Sequence, residues 1–338
     1  MPATRFTLLL PTARPRPLSR RHWLGAALAT AALPAWAQGG AAVVRIVVPF
    51  TPGGGNDVFA RQLAHGLNER FQTQAIVENR PGAGGNLGTE MVVRAPANSG
   101  TVLLGHTGTV SINPVLYAGL KFDAARDLQP VAMFASSALL LVVPAASPIQ
   151  DVAQLADALR QARGGMDYAS SGAGTGGHLT GEMFAHMLSV KATHVPYKGM
   201  APSLTDLAGG QVDFSFSVIP AALALVKAGR LRALAVTSAR RLSQLPEVAT
   251  VAESGVRALS GFESSLTYGI LAPRGAPAAE IEKLGAQILQ VAASTAFQSR
   301  LGVDGAEPLL GNAAAYARRI QQESSKWAAV VKASGATV

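Results

Sequence analysis

The stretch that decides the fold is VVPFTPGGGND, residues 47–57. The β-branched run over residues 43–48 predicts a buried strand, which must end at Pro49 because proline cannot donate to a strand ladder. Three glycines follow, and from Val58 onward apolar residues recur at helical spacing. The predicted order is therefore strand, glycine-rich turn and helix. The turn carries the unpaired N–H groups and the partial positive charge of a helix start, which together can bind an anion.

The same stretch could also be an ordinary turn between a strand and a helix, capped by Asn56 or Asp57. Repetition favours the anion-binding interpretation. Two further glycine-rich stretches precede helix-like segments, PGAGGNLG at residues 81–88 and SSGAGTGGH at residues 170–178. Glycine lets an anionic ligand approach the backbone closely, so we interpret the three stretches as parts of one binding site.

Composition limits the class of protein. The chain has 338 residues, a net charge of +9 and no cysteine, which excludes disulfides, thiolate metal sites and cysteine nucleophiles. Five of its 29 basic residues are arginines within residues 1–37; the remainder has 24 basic and 20 acidic residues and no basic run. A nucleic-acid partner is therefore not expected.

The N-terminus has the features of a targeting segment. Arg20 and Arg21 precede an apolar run over residues 23–33, and Ala35-Trp36-Ala37 is an A-x-A cleavage site. Residues 1–37 are thus expected to be a signal peptide that is removed after export from the cytoplasm. The paired arginines are typical of a twin-arginine signal, although an ordinary secretory signal would also contain them.

Strand-like and helix-like segments alternate along the mature chain, which predicts an α/β protein with two parallel, doubly wound sheets. Two long helical patterns, residues 277–293 and 313–332, lack a sheet of their own and are expected to pack on the first set. We therefore predict two domains. Domain 1 comprises residues 38–136 and 262–338, and domain 2 comprises residues 137–261.

Two further sequence features concern the sheets. Residues 128–143 contain two apolar runs that split near Ala135, Ser136 and Ser137. The three glycine-rich loops follow predicted strands, and open α/β sheets bind ligands at the carboxyl ends of their strands. We expect the ligand to lie in a cleft between the domains, beside these loops.

Six stretches of the chain together are similar to one known family. They are VPFTPGGGND (48–57), ENRPGAGGN (78–86), YASSGAGTGGH (168–178), HVPYKG (194–199), LRALAVT (231–237) and ESSKW (323–327). In this order they resemble the Bug family of solute receptors, the substrate-binding components of tripartite tricarboxylate transporters. One departure is Tyr268, where the family commonly has tryptophan.

The resemblance implies a two-lobed periplasmic binding protein of the type II-like fold that closes by a hinge over a small carboxylate. The ligand could be a dicarboxylate, a tricarboxylate, an aromatic carboxylate or an acidic amino acid. The implied partners are the membrane permease subunits of a tripartite tricarboxylate-type transporter, or a sensor. We expect a monomer that has no cofactor, no metal and no enzymatic activity.

The candidate ligand-binding residues combine these patterns with the resemblance. Backbone groups of the glycines would bind a carboxylate, amides and hydroxyls would add donors, and the aromatic ring would form a wall or belong to the core. From the first lobe the candidates are Phe50, Gly53, Gly54, Asn56, Asp57, Asn86, Thr107 and Thr109. From the second lobe they are Ser171, Gly174, Thr175, His178 and Tyr197.

Two of these candidates have a second interpretation. Asp57 could cap the helix by accepting N–H groups, or it could accept the amino group of a ligand. His178 could contact the ligand, or it could hold its own loop through a backbone hydrogen bond.

Two enzyme classes remain as alternatives. Gly172, Gly174 and Gly177 fit a dinucleotide fingerprint, but the acidic residue that this pattern requires about 20 positions later is absent. A secreted hydrolase acting on a small carboxylate ester could use Ser171 and His178. It would lack both the G-x-S-x-G nucleophile turn and an evident orienting acid. The six histidines are scattered, so a metal site is not indicated.

Overall fold

The computed structural model describes residues 43–53, 55–303 and 305–335 of the chain. The signal segment predicted for residues 1–37 and the candidate binding residue Gly54 both lie outside the described residues.

Strands and helices alternate over the described residues. The strands are β1 (Val44–Val48), β2 (Ala75–Asn79), β3 (Thr101–His106), β4 (Leu128–Pro144), β5 (Met166–Ser170), β6 (Ala192–Pro196), β7 (Phe214–Val218), β8 (Leu231–Val236), β9 (Ser265–Pro273) and β10 (Ala306–Asn312). The α-helices are α1 (Gly55–Phe71), α2 (Asn86–Val93), α3 (Asn113–Leu116), α4 (Ala124–Asp127), α5 (Val152–Gln161), α6 (Gly176–Leu188), α7 (Met200–Ala208), α8 (Ile219–Lys227), α9 (Ala278–Ala292), α10 (Thr295–Val303) and α11 (Ala313–Ser334). A 3₁₀ turn over Ala83–Gly85 and a π-helical turn over Gly108–Ile112 lie beside the candidate site.

The strands form one continuous ten-stranded network in the order β2-β1-β3-β9-β4-β7-β5-β6, with β10 and β8 also paired to β4. Strands β2, β1 and β3 are parallel to one another, as are β6, β5 and β7. Strands β9 and β10, and likewise β7 and β8, are antiparallel to β4. The expected α/β class is confirmed, but the parallel arrangement is restricted to the outer strands on each side.

Strand β4 joins the two halves of this network. Its residues 128–138 pair with β9, and its residues 139–142 pair with β7. The two apolar runs that split near Ser136 and Ser137 in the sequence therefore form one unbroken strand. The polar Ser137 continues the strand because it is buried and its hydroxyl donates to the carbonyl of Gly305, 3.3 Å away. Register shifts against β9 accommodate the long strand.

Both faces of each half are covered, as expected for doubly wound sheets. In β1, Ile46 and Val48 belong to one buried cluster, whereas Val47 belongs to the cluster on the opposite face. In β4, Leu141 and Val142 divide in the same way between two other clusters. This alternation follows from the two-residue period of a strand.

The C-terminal helix α11 contacts both halves. Tyr316 and Ile320 pack in a cluster with residues of β1 and β3, whereas Trp327 and Val330 pack in the cluster of β4 and β7. The sequence-based expectation placed this helix on the first domain alone. The structure instead shows a helix whose two ends pack against different cores.

Trp327 is 1% exposed, which makes it a sensitive probe of this helix. We expect Trp327→Ala to lower the free energy of unfolding by about 3–5 kcal/mol, because it removes a large buried side chain and leaves a cavity. Urea denaturation would measure the change. Val303, which is 70% exposed, supplies the control, since Val303→Ala should change stability by less than about 0.5 kcal/mol. A similarly small effect of Trp327→Ala would show that α11 does not contribute to the core.

Candidate functional site

Asp57 organises the first glycine-rich loop from within α1. One carboxylate oxygen accepts the N–H of Gly53 at 3.0 Å and the Nε of Arg61 at 2.9 Å, and the other accepts the amide of Asn79 at 3.0 Å. Burial alone would raise the pKa of Asp57, but the hydrogen bonds from Arg61, Gly53 and Asn79 together keep its pKa below the ordinary value. Asp57 thus holds the turn and the helix start together.

This network changes the roles expected of the loop. The N–H of Gly53 is already bonded to Asp57, so it does not point at a ligand, and its φ of +84° suits glycine. Asn56 has a buried side-chain oxygen that lacks a hydrogen-bond partner within the described residues. Phe50 stacks on His106 with ring centroids 5.0 Å apart, so it forms a wall beside the end of β3.

The second glycine-rich loop presents a buried amide. Asn86 begins α2 and is 6% exposed. The amide nitrogen of Asn113 donates to the carbonyl of Gly84 at 2.9 Å and to the side-chain oxygen of Asn86 at 2.7 Å. These two bonds use both hydrogens of the Asn113 nitrogen, so it is the oxygen of Asn86 that faces Asn113. The NH₂ group of Asn86 therefore points away from Asn113. It has no partner among the described residues.

Thr107 and Thr109 lie after β3, but their hydroxyls are bonded inside the protein. The hydroxyl of Thr107 donates to Glu323 at 2.7 Å and accepts the N–H of Thr267 at 2.8 Å. The hydroxyl of Thr109 donates to the carbonyl of His106 and accepts its N–H. Both threonines are fully buried. They fix the end of β3 and do not offer free donors.

The bond from Thr107 is part of a buried cluster on α11. Glu323 is 5% exposed and also accepts hydrogen bonds from Thr267, at 2.6 Å, and from Arg319, at 2.7 Å. Its charge is therefore paired and hydrogen-bonded, as a buried carboxylate requires. The cluster ties α11 to the ends of β3 and β9.

The third glycine-rich loop follows β5 and is held by side chains at both of its ends. The hydroxyl of Thr175 donates to the carbonyl of Gly172 at 2.7 Å. The N–H of Gly174 donates to Nδ1 of His178 at 3.1 Å. The structure thus assigns His178 the loop-holding role. Ser171 is half-buried, and its hydroxyl forms no hydrogen bond to a described residue.

Two stacked histidines support this loop. The rings of His178 and His194 lie 3.9 Å apart, and Nε2 of His194 is 2.6 Å from the hydroxyl of Ser170. Burial lowers the pKa of His178 to about 4. Burial, together with the repulsion that a protonated His178 would exert, lowers the pKa of His194 to about 3. Both rings are therefore neutral at pH 7.

The hydrolase alternative required a bond between Ser171 and His178. Nδ1 of His178 is bonded to the N–H of Gly174, and its Nε2 faces Glu182 at 3.8 Å. Neither nitrogen is thus hydrogen-bonded to Ser171, and the described loop lacks the expected nucleophile–base pair. Tyr197 is likewise engaged within the protein, since its hydroxyl donates to Asp206 at 2.8 Å.

The loops meet at a few close contacts. A methyl group placed on Gly85 would lie 2.7 Å from Thr109 and 3.1 Å from the ring of Phe50. Sequence reasoning missed two residues of this region, Asn113 and Tyr117. An Asn-Pro pair such as residues 113–114 is a turn signal, but no local pattern shows that it contacts the loop before α2.

The chain can now be compared with known proteins. Residues 59–336 match the family model described as the tripartite tricarboxylate transporter family receptor. The chain belongs to this family. The resemblance to the Bug proteins is confirmed: BugT of Bordetella pertussis is 31% identical over 294 residues, 87% of this chain and 89% of that protein. A UPF0065 protein from Pseudomonas sp. strain P51, encoded in the tcbD-tcbE intergenic region, is 36% identical over 83% of each chain.

Solved structures of other receptors in this family share the fold. Rpa4515 of R. palustris with adipate has a TM-score of 0.79 and 36% identity over 86% of this chain and 97% of its own. The periplasmic binding protein BugD has a TM-score of 0.76 and 32% identity, over 87% and 98%. MatC of Rhodopseudomonas palustris with bound malate has a TM-score of 0.75 and 29% identity, over 86% and 98%. The expected periplasmic binding protein fold is confirmed, and these neighbours are solute-binding proteins, not enzymes.

The described residues of this family receptor show neither a membrane span nor a metal cluster. No helix among them is long and apolar enough to cross a membrane. Nor do they contain a group of three or more histidine and carboxylate side chains placed to hold a metal ion.

The buried histidines predict a pH-dependent stability. Their pKa values are lower in the folded protein than the ordinary value of about 6.5, so the unfolded chain binds more protons below that pH. The contribution of these two histidines to the free energy of unfolding should be constant above pH 6.5 and should fall as the pH drops towards 4. Each such histidine contributes a slope of about 1.4 kcal/mol per pH unit.

Urea denaturation between pH 4.5 and 7.5 measures this slope. His178→Asn should reduce it, because asparagine can still accept the N–H of Gly174 but does not titrate. His65→Asn, at an exposed position on α1, is the control for the substitution itself, and this variant should keep a steeper slope than His178→Asn. Equal slopes in the wild type and in His178→Asn would contradict the assignment.

Proposed function

We propose that this receptor is exported to the periplasm, captures a small carboxylate between the loops described above, and delivers it to a tripartite tricarboxylate-type permease or to a sensor. The mature chain acts as a monomer with two lobes, residues 38–136 with 262–338 and residues 137–261. The lobes close by a hinge. The pairing of β4 with different strands on its two halves supports this division, and the paired arginines of the N-terminus favour the twin-arginine route.

The observation that carries the proposal is the unpaired amide of Asn86. A buried NH₂ group without a partner costs free energy, about 1–3 kcal/mol, which a ligand acceptor would recover. It lies at the start of α2, where the helix also contributes a partial positive charge. A carboxylate oxygen satisfies both features.

The opposite side of the site is the start of α6. The loop over residues 170–175 leads into this thirteen-residue helix, whose first N–H groups and partial positive charge face a ligand that closure brings near. The free hydroxyl of Ser171 adds a donor at the same place. Thr175, Gly174 and His178 hold the loop in shape, so their contribution is positional.

The ligand class rests on the neighbours and on the donors. The related receptors have been solved with adipate and with malate, which are both dicarboxylates. The hydrogen-bond donors at this site are neutral, because His178 and His194 are uncharged. The nearby charge of Asp57 is compensated by Arg61. We therefore favour a dicarboxylate of four to six carbons over an acidic amino acid, since the carboxylate of Asp57 already accepts three hydrogen bonds, one of them from its ion-pair partner Arg61.

A thermal-shift screen of small carboxylates, including adipate, malate and citrate, tests the function. A ligand at 100 times its dissociation constant should add about 2.7 kcal/mol to the free energy of unfolding. Asn86→Asp should then weaken binding by about 1.5–3 kcal/mol, because it replaces the donor with a like charge while keeping an acceptor for Asn113. Calorimetry measures both affinities.

Asn312 supplies the matched control. Its side chain caps α11 by accepting the N–H of Ala315, and aspartate is an equally good cap. Asn312→Asp adds the same charge and should leave binding unchanged. Undiminished binding by Asn86→Asp would remove Asn86 from the site, and the absence of any carboxylate binding would contradict the proposed function.

A further inference from the structure

Tyr117 lies where the second and third glycine-rich loops approach each other. A methyl group placed on Gly84 would lie 2.5 Å from the phenolic oxygen, and one placed on Gly174 would lie 3.5 Å from the same oxygen. At Gly84 only a residue without a side chain leaves room for the phenol, whereas at Gly174 an added methyl group would make an ordinary contact with it. The φ angles of +63° and +77° are also ones that glycine adopts readily. The phenol thus lies between one loop that follows β2 and another that follows β5.

A backbone hydrogen bond and the contacts of Asn113 hold Tyr117 in this position. Its N–H donates to the carbonyl of Asn113 at 3.0 Å, which closes the short helix α3. The side chain of Asn113 is in turn bonded to Gly84 and Asn86. The segment that carries Tyr117 is therefore fixed to the same loop that presents the unpaired amide.

The ring and the hydroxyl of Tyr117 have different surroundings. The ring packs against the buried cluster that contains Leu139 and Phe216, which belongs to the second half of the sheet. The hydroxyl makes no hydrogen bond to any described residue, whereas the hydroxyl of Tyr168 is bonded to Glu182 and that of Tyr197 to Asp206. A fixed ring with a free hydroxyl is a donor that is already oriented for a ligand.

We propose that Tyr117 is a ligand-contacting and specificity-determining residue whose hydroxyl donates a hydrogen bond to the bound carboxylate where the two glycine-rich loops meet. This inference rests on the proposed function, because it assigns a further donor to the same site. Burial raises the pKa of Tyr117, so the phenol keeps its proton at neutral pH and remains a donor. Because its ring contacts both loops, Tyr117 also links ligand binding to their approach.

The test compares Tyr117→Phe with the wild type, using the carboxylate of the screen that binds the wild type best. A hydrogen bond to a charged group contributes enough that its removal should raise the dissociation constant about tenfold or more. Because phenylalanine keeps the ring, the melting temperature without ligand should not change. Calorimetry gives the affinity, and a thermal melt gives the stability.

Tyr316→Phe is the matched control. Tyr316 is 1% exposed, and its hydroxyl is buried without a partner in a different cluster, so losing it should not affect ligand affinity. If Tyr117→Phe binds within twofold of the wild type, the residue only packs and the inference is wrong. If the wild type binds no carboxylate of the screen, the proposed function fails and this inference fails with it.

Discussion

The structure depends on a single long strand. β4 is paired on both of its edges along most of its length, with β9 and β10 in its first part and with β7 and β8 in its second. Every other strand is connected to β4 by strand pairing, either directly or through β9 or β7. Since the register of a strand fixes which side chains face each layer, β4 also fixes where the loops after β1, β2, β3 and β5 emerge. The position of the site follows from this pairing.

The site itself is built mainly from neutral groups. The charged side chains nearby are compensated, Asp57 by Arg61 and Glu323 by Arg319. The histidines are kept neutral by burial. What remains for an anion is the amide of Asn86, hydroxyl groups and helix starts. Such dipoles can bind a carboxylate without a matching charge, and each helix start contributes about 0.3–1 kcal/mol. Such a moderate attraction would permit the ligand release that the proposed function requires.

Local sequence was sufficient for the elements with a clear pattern. The order of β1, the glycine-rich turn and α1 followed from Pro49, the glycines and the apolar spacing. By contrast, α10 and β10 were missed. In α10 only Phe297 and Leu301 are buried, and they form no continuous apolar stripe. Ser137 suggested a break because it is polar. The hydrogen bond that lets it continue the strand goes to Gly305, which is far away in the sequence.

The same distinction applies to the site. The candidate loops were found from their glycines, and the side-chain roles were only partly predictable. Thr107 follows β3 as a ligand donor would, yet its partner Glu323 lies on the last helix. Tyr117 has no local signal at all, since its importance comes from Gly84 and Gly174 on two other loops. Local sequence can indicate a turn or a cap, but it contains no information on which distant residues meet.

We propose that the two sets of loops close over one carboxylate. Closure should arise from contacts that exist only in the closed state. Small-angle X-ray scattering of the mature chain, with and without a carboxylate that calorimetry shows to be saturating, tests it most directly. We expect the radius of gyration to fall when the ligand is added to the wild type, and to fall less for Asn86→Asp at the same concentration, because this variant is less fully occupied. An unchanged radius in the saturated wild type would contradict the account.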